Sequence, residues 1–153
     1  KKKELVWWIR NQKSFVGGIF FKSENTGKTK EWYENHLGID TDQYGTMFKS
    51  RDINDSEEIN YLQWSHFNKD TDYFNPSEKE FMINYRVQKI EGLVKNLKDN
   101  GVTIVNEIKE YEYGKFVHIL DPERNKIELW EPIDSFFTKN VSKTTKWLIH
   151  LAL

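Results

Sequence analysis

The best chemical lead in the sequence is a histidine and a glutamate, His118 and Glu128, on either side of a short polar turn. The turn, residues 121–125, begins Asp-Pro. This suits a type I turn because Pro fixes φ and Asp can bond the backbone two residues on. If the flanking strands pair symmetrically about the turn, His118 lies directly opposite Glu128. Such a pair can act as general acid and base, with the carboxylate orienting the imidazole, or can be a polar cross-strand pair that only holds the hairpin.

The two faces of this predicted hairpin differ in character, because side chains alternate along a strand. One face is aliphatic and is formed by Val117, Ile119, Ile127 and Leu129. The other face mixes aromatic and titratable groups, namely Phe116, His118, Glu128 and Trp130. Aromatic residues beside a titratable pair indicate the lining of a pocket more than a solvated surface.

The composition is that of a soluble protein with no general affinity for polyanions. The 153 residues, 37% hydrophobic and 31% charged, fit one compact domain. The 23 basic and 24 acidic residues give a net charge of -1, which offers no general attraction to nucleic acid or anionic lipid. The apolar run at residues 5–9 is too short for a membrane span or a signal peptide. The absence of cysteine excludes disulfides, thiolate metal ligands and a cysteine nucleophile, and a cytoplasmic location is expected.

The pattern of the first half predicts a strand at residues 15–21, a helix at 28–37 and strand-like segments at 44–49 and 60–67. Gly38 follows the helix where a left-handed C-cap is expected. We expect an apolar or aromatic stripe on this helix, formed by Trp32, Tyr33, His36 and Leu37.

The second half repeats this order. Residues 80–87 are strand-like, and residues 89–100 are predicted as a helix because Ile90, Leu93, Val94 and Leu97 share one helical face. Gly101 follows as C-cap. A strand at 102–105 and the hairpin complete the half. The second half therefore reads strand, helix, strand, strand, strand, and we expect the same order in the first half.

This order predicts an α+β protein of two βαβββ modules, residues 14–67 and 80–133. Residues 68–79 connect them, and residues 1–13 and 134–153 are terminal extensions. Each helix covers one face of its sheet, so the two bare faces can close around a cavity. The alternative is an ordinary α+β sandwich whose mixed face meets solvent. Strand parity predicts that the cavity is lined by Phe20, Gln63, Met82, Asn84, Phe116, His118, Glu128 and Trp130, with Lys22 and Arg86 nearer its rim.

Two motifs resemble those of a known family. They are W-Y-x-x-x-L-G at residues 32–38 and D-P-x-x-N-x-I-E-L at residues 121–129. Together with the first strand, they resemble the vicinal oxygen chelate superfamily, which includes glyoxalase I, the bleomycin-resistance proteins and the extradiol dioxygenases. The resemblance covers about residues 15–133 and implies a U-shaped, curved mixed sheet around a cavity, often in a dimer.

The resemblance also implies four ligand positions for a divalent metal. These positions fall at about Gly18, Gln63, Met82 and Glu128, and only Glu128 is a usual metal ligand. His118 could add an imidazole, which gives Gln63, His118 and Glu128 as an alternative metal set. Because that set is poor, we expect no cofactor and disfavour glyoxalase I and dioxygenase chemistry.

The sequence therefore predicts a metal-independent protein similar to the bleomycin-resistance type. The expected ligand is a small aromatic or cationic compound, since aromatic walls favour flat or cationic groups. The alternative is a glyoxalase-like lyase or isomerase that uses His118 and Glu128, with or without a divalent metal. An interaction scaffold is a third, weaker hypothesis. The apolar terminal extensions, which include Trp7, Trp8 and Trp147, indicate a homodimer contact or packing within the chain.

Overall fold

The computed structural model describes residues 15–133 and 135–136. The strands are β1 (Phe15–Ser23), β2 (Thr46–Arg51), β3 (Ile59–Asn68), β4 (Phe81–Arg86), β5 (Lys109–Tyr111), β6 (Gly114–Leu120) and β7 (Lys126–Pro132). The helices are α1 (Thr26–Leu37), between β1 and β2, and α2 (Ile90–Asp99), between β4 and β5. No helix among the described residues is both long enough and apolar enough to cross a membrane.

All seven strands belong to one curved, unclosed mixed sheet in the order β2-β3-β1-β4-β7-β6-β5. Strands β1 and β3 are parallel, as are β4 and β7, while β1 and β4 pair antiparallel and join the two halves. The predicted α+β class and curved mixed sheet are confirmed. The first half contributes three strands and the second four. The strand predicted at 102–105 is reduced to a single bridge between Ile104 and Ile119.

The helices lie on one face of the sheet, as the hairpin pattern predicts. Under α2, the buried aliphatic core consists of Val87, Ile90, Val117, Ile119 and Leu129. Under α1, the ring of Tyr33 packs against Phe21 and Trp64. The predicted stripe on α1 is wrong in extent, because Trp32 is 51% exposed and Leu37 58% exposed. Trp32 stacks on His36 at the surface of α1.

The connector between the halves covers part of the opposite, concave face. It lies between β3 and β4, and two adjacent aromatic residues, Tyr73 and Phe74, turn inward from it. Both join a buried cluster with Phe20, Phe67, Met82, Tyr113, Phe116 and Trp130. The concave face therefore carries a second hydrophobic core.

A bulge with two glycines lets the two halves approach closely at β1. The β1–β4 register shifts between Val16 and Gly18, so Gly17 is the extra residue. A β-carbon at Gly17 would lie 2.6 Å from Asn84 Oδ1 and 2.7 Å from Arg86 Cγ. Side chains of the second half thus occupy the space that a residue with a β-carbon would need at position 17.

We expect Gly17→Ala to lower the free energy of unfolding by about 1–3 kcal/mol, because the added methyl group overpacks this junction. Urea denaturation of the purified variant measures the change. Gly27→Ala is the matched control. Gly27 is exposed near the start of α1 with only Asn25 Oδ1 near its missing β-carbon, at 3.5 Å. That variant should be neutral or stabilised by up to about 1 kcal/mol. Equal stability of the two variants would contradict the packing role of Gly17.

The terminal extensions lie outside the described residues, apart from residues 135–136. The subunit contact predicted for them stays a prediction.

Candidate functional site

A single row of polar side chains crosses the concave face of the sheet. The strand registers align Gln63 with Gly18, Gly18 with Asn84, Asn84 with Glu128, and Glu128 with His118. The predicted opposition of His118 and Glu128, with Val117 across from Leu129, is confirmed. Met82 was assigned to the family's position on this strand, but it aligns with Phe20 one row away. The residue in the row is Asn84.

Glu128 is the centre of the row and is completely buried. Its Oε2 lies 2.8 Å from His118 Nε2 and accepts a hydrogen bond from the Tyr73 hydroxyl. Its Oε1 accepts from Asn84 Nδ2 at 2.7 Å. Three donors from three different segments therefore converge on one carboxylate, which is how a buried charge is satisfied.

These donors decide the charge state of Glu128. Burial raises the pKa of the Glu128 carboxyl, but hydrogen bonds from His118, Tyr73 and Asn84 and the charge of His118 outweigh burial and leave the pKa below its ordinary value. Burial and the adjacent Glu128 raise the pKa of the Tyr73 phenol well above its ordinary value. Glu128 is thus ionised near neutral pH, and Tyr73 keeps the proton that it donates.

The second nitrogen of His118 is held by Asn106. The Asn106 Oδ1 atom accepts from the His118 backbone N–H at 2.8 Å, which fixes it as an oxygen, and it lies 3.2 Å from His118 Nδ1. Both ring nitrogens of His118 therefore face acceptor oxygens, since the ionised Glu128 also only accepts. The imidazole of His118 is therefore held between two acceptors, with Nε2 directed at the buried Glu128 carboxylate.

Aromatic side chains form the walls on both sides of the row. The rings of Phe116 and Trp130 stack with centroids 5.8 Å apart and planes at 9°. The Arg86 guanidinium lies 5.1 Å from the Trp130 ring centroid. On the other side, Phe20 contacts Phe67 edge-on at 5.6 Å.

The predicted lining residues come together on the concave face. All eight, Phe20, Gln63, Met82, Asn84, Phe116, His118, Glu128 and Trp130, are buried. Tyr73 and Phe74, from the connector, pack against this row from the concave side. A ligand that reaches Glu128 from that side meets these two side chains.

Two buried oxygen atoms in the row have no hydrogen-bond partner. Gln63 donates its Nε2 to the Tyr44 carbonyl and the Ser65 hydroxyl, at 3.1 and 3.0 Å, which leaves its Oε1 unpaired. Asn84 donates to Glu128, which leaves its Oδ1 unpaired. Gln63 is 1% exposed and Asn84 is fully buried. A buried acceptor without a donor is unfavourable by roughly 1–3 kcal/mol, so both atoms favour a partner that supplies a hydrogen.

The residues of the row do not fit a divalent metal. A side chain at Gly18 would collide with the Phe20 ring, since a β-carbon there would lie 2.9 Å from it. Both oxygens of Glu128 already accept hydrogen bonds, and three strands separate Gln63 from His118. Among the described residues, no three His, Cys, Asp or Glu side chains are grouped to hold a metal ion. The alternative set of Gln63, His118 and Glu128 is therefore too dispersed across the sheet to coordinate one ion.

A surface cleft of about 690 Å³ opens beside the connector. Its lining includes Phe67, whose ring stacks on Tyr73, and connector residues 68–72. Three carboxylates line it, from Glu24, Asp70 and Asp72, against the single ammonium of Lys69. The cleft is thus acidic and lies beside the connector that carries Tyr73.

Sequence reasoning missed Tyr73 and Asn106. Tyr73 had a detectable signal, because the Tyr-Phe pair interrupts an otherwise polar connector and such a pair seldom stays in water. Asn106 had none, since it stands in a loop and its role depends on the position of β6.

Comparisons with known proteins agree on the fold. The model of the Glyoxalase/Bleomycin resistance protein/Dioxygenase superfamily matches residues 23–129. No curated protein sequence matches the chain. A variant of Streptomyces coelicolor methylmalonyl-CoA epimerase in complex with 2-nitronate-propionyl-CoA is 15% identical, with a TM-score of 0.55 over 78% of this chain and 94% of that one. An NAD-dependent benzaldehyde dehydrogenase from Legionella pneumophila is 13% identical, with a TM-score of 0.50 over 75% and 97%. At such identities the likeness concerns the fold alone.

Proposed function

The chain belongs to the Glyoxalase/Bleomycin resistance protein/Dioxygenase superfamily, and on that premise we propose that it is a metal-independent small-molecule-binding protein. The proposed ligand is an aromatic compound that carries a positive charge or another hydrogen-bond donor. It binds on the concave face, against Gln63, Asn84 and Glu128. The other proposed contacts are Phe20, Met82, Phe116, His118 and Trp130.

The observation that supports this proposal most is the chemistry of the row. Its unpaired atoms, Gln63 Oε1 and Asn84 Oδ1, are both acceptors, and its central charge is the Glu128 carboxylate. Aromatic rings on both sides supply flat apolar contacts. Sites for small molecules combine apolar walls with a few placed polar groups in this way. An aromatic ligand with a hydrogen-bond donor can both stack against these rings and donate to the unpaired acceptors.

The charge of the adjacent cleft supports the same ligand class. Three carboxylates and one ammonium line the cleft, whose wall includes Phe67, the ring on which Tyr73 stacks. A cation is drawn toward such a surface, and an anion is repelled. Glu24 is partly neutralised by Lys69, which lies 2.5 Å from it, so Asp70 and Asp72 carry most of this effect.

A panel of four benzene derivatives tests the ligand class. We expect benzylammonium to raise the melting temperature more than benzyl alcohol, and toluene or benzoate to raise it least, because ligands that favour the native state stabilise it by mass action. Gln63→Leu should weaken benzylammonium binding about tenfold through loss of one acceptor for a charged donor. Gln88→Leu, at an exposed position outside the row, is the control. Preferential binding of benzoate, or equal effects of the two variants, would contradict the proposal.

A second candidate is a lyase or isomerase that uses Glu128 and His118 as base and acid. It is favoured by the continuous proton network from Tyr73 through Glu128 to His118. Proton NMR in D₂O separates the two functions. Deuterium wash-in next to the carbonyl of a bound ketone or thioester that depends on His118 would indicate catalysis, and binding without exchange would favour the first function.

We further propose a homodimer and a cytoplasmic location. The dimer proposal rests on the apolar residues of the terminal extensions, and the location rests on the absence of cysteine.

A further inference from the structure

Tyr73 enters the concave face from the connector and makes the contacts that a ligand would make. Its ring stacks on Phe67 with centroids 5.6 Å apart and planes at 4°, and it meets the His118 ring edge-on at 5.4 Å. Its hydroxyl donates to Glu128 Oε2. An aromatic ring with a donor is therefore already present at the centre of the site.

One lysine holds this tyrosine in place. Lys126 Nζ donates to the Tyr73 carbonyl at 2.5 Å and lies 5.2 Å from the centroid of the Tyr73 ring. Phe74, the next residue, is held edge-on against Phe67 at 5.3 Å, and Lys22 lies 5.6 Å from its ring. Side chains thus provide the contacts that seat the aromatic pair.

The backbone of the connector is attached to the sheet at its two ends. Lys69 N donates to the Ser23 carbonyl, and Lys22 N donates to the Glu80 carbonyl. Between these points, the backbone hydrogen bonds among the described residues close local turns: Thr71 to Asn68, Asn75 to Asp72, and Ser77 to Phe74. Residues 70–79 can therefore swing as a unit if the side-chain contacts of Tyr73 and Phe74 are released.

From this geometry we propose that Tyr73 is an internal occupant of the binding site. It fills, with its own phenol, a subsite for the ring and hydroxyl of a phenolic ligand, and residues 70–79 form a strap that moves aside when that ligand binds. This inference rests on the proposed binding function and narrows its ligand class. The ligand's hydroxyl replaces the Tyr73 hydroxyl at Glu128, and its ring replaces the Tyr73 ring on Phe67.

The strap lowers the apparent affinity of the site. When the binding-competent state is only a fraction of the population, the apparent dissociation constant rises by the inverse of that fraction. Removal of the Tyr73 side chain relieves this competition and leaves a space that matches its ring, which small aromatic molecules can fill.

The test compares 4-methylphenol, which reproduces the tyrosine side chain, with toluene, which lacks the hydroxyl. We expect Tyr73→Ala to bind 4-methylphenol about tenfold more tightly than toluene by isothermal titration calorimetry, because one donor meets a charged acceptor. The wild-type chain should bind 4-methylphenol at least tenfold more weakly than Tyr73→Ala. Adding Glu128→Gln to Tyr73→Ala should abolish the preference for the hydroxyl.

Two outcomes overturn the inference. Equal affinity of Tyr73→Ala for toluene and 4-methylphenol would show that the space left by the Tyr73 side chain is an apolar cavity with no preference for a hydroxyl. Equal affinity of wild type and Tyr73→Ala for 4-methylphenol would show that Tyr73 does not compete. If Tyr73→Ala does not fold, Lys126→Met replaces it. That variant removes the anchor of the strap and should bind 4-methylphenol several-fold more tightly than wild type, and unchanged or weaker binding overturns the inference.

The result is separable from that of the benzene panel. If the wild-type chain binds none of the four panel compounds while Tyr73→Ala selects 4-methylphenol, the strap proposal is supported and the proposed cationic ligand class is contradicted. If benzylammonium binds wild type and Tyr73→Ala equally well, the proposed function is supported and the strap proposal is contradicted.

Discussion

Replacement of Glu128 with glutamine is expected to lower the free energy of unfolding by roughly 3–5 kcal/mol at neutral pH, because it removes the charged member of a buried hydrogen-bond network. The amide keeps one acceptor oxygen but turns an NH₂ group toward donors. Tyr73, Asn84 and His118 all donate to the native carboxylate, so at least one donor is left buried without a partner. Urea denaturation at pH 7 measures the loss.

The loss should also depend on pH with a definite sign. Burial raises the pKa of Glu128, but its hydrogen bonds and His118 leave that pKa below the ordinary value of 4.5. A carboxyl whose pKa is lower in the folded state stabilises the fold above its unfolded pKa, and this contribution is lost as pH falls through the folded pKa. The stability difference between wild type and Glu128→Gln should therefore be largest above pH 4.5 and shrink below it.

The control for this series is Glu123→Gln, which changes the same group in the exposed β6–β7 turn. It should alter the unfolding free energy by less than about 0.5 kcal/mol. A Glu128→Gln variant as stable as this control, or a difference that grows toward acid pH, would show that Glu128 is not the ionised centre of the site.

Replacement of Trp130 with alanine is expected to have an effect of similar size, about 3–5 kcal/mol. Trp130 is fully buried, its ring stacks on Phe116, and the Arg86 guanidinium lies over it. The space left by an indole in the middle of a sheet cannot close, because neighbouring strands are fixed by their hydrogen bonds. Chemical denaturation at pH 7 measures the change in the free energy of unfolding.

Trp32→Ala is the matched control, since Trp32 is half exposed on α1 and stacks on His36 at the surface. Alanine is also the better helix former at that position. We expect a change below about 1 kcal/mol. If Trp32→Ala is as damaging as Trp130→Ala, burial of Trp130 in the concave-face core does not explain the loss of stability.

The register of the hairpin could be predicted from sequence because its turn is specified locally. Asp121 Oδ1 accepts from the backbone N–H groups of Glu123 and Asn125, and Arg124 adopts a positive φ of 62°. A turn fixed by its own side chains sets which residues lie opposite each other, and parity then assigns each side chain to a face. The placement of His118 beside Glu128 follows from these rules alone.

The contents of the concave face could not be predicted in the same way. The contact of Tyr73 with Glu128 joins residues 55 positions apart, and no local rule relates a connector to the strands that it crosses. Burial of the α1 stripe was predicted wrongly for a similar reason. Periodicity predicts one broad stripe on the helix, formed by Trp32, Tyr33, His36 and Leu37, but the sheet beneath decides how much of that stripe it covers.

The pairing of β1 with β4 has a consequence for how the chain folds. Each of these strands has its other neighbour within its own half, β3 for β1 and β7 for β4. Either half alone would leave a full edge strand with unsatisfied N–H and C=O groups, which invites association with other chains. The two halves therefore complete each other as a single cooperative unit, and neither is expected to persist as an independent monomer.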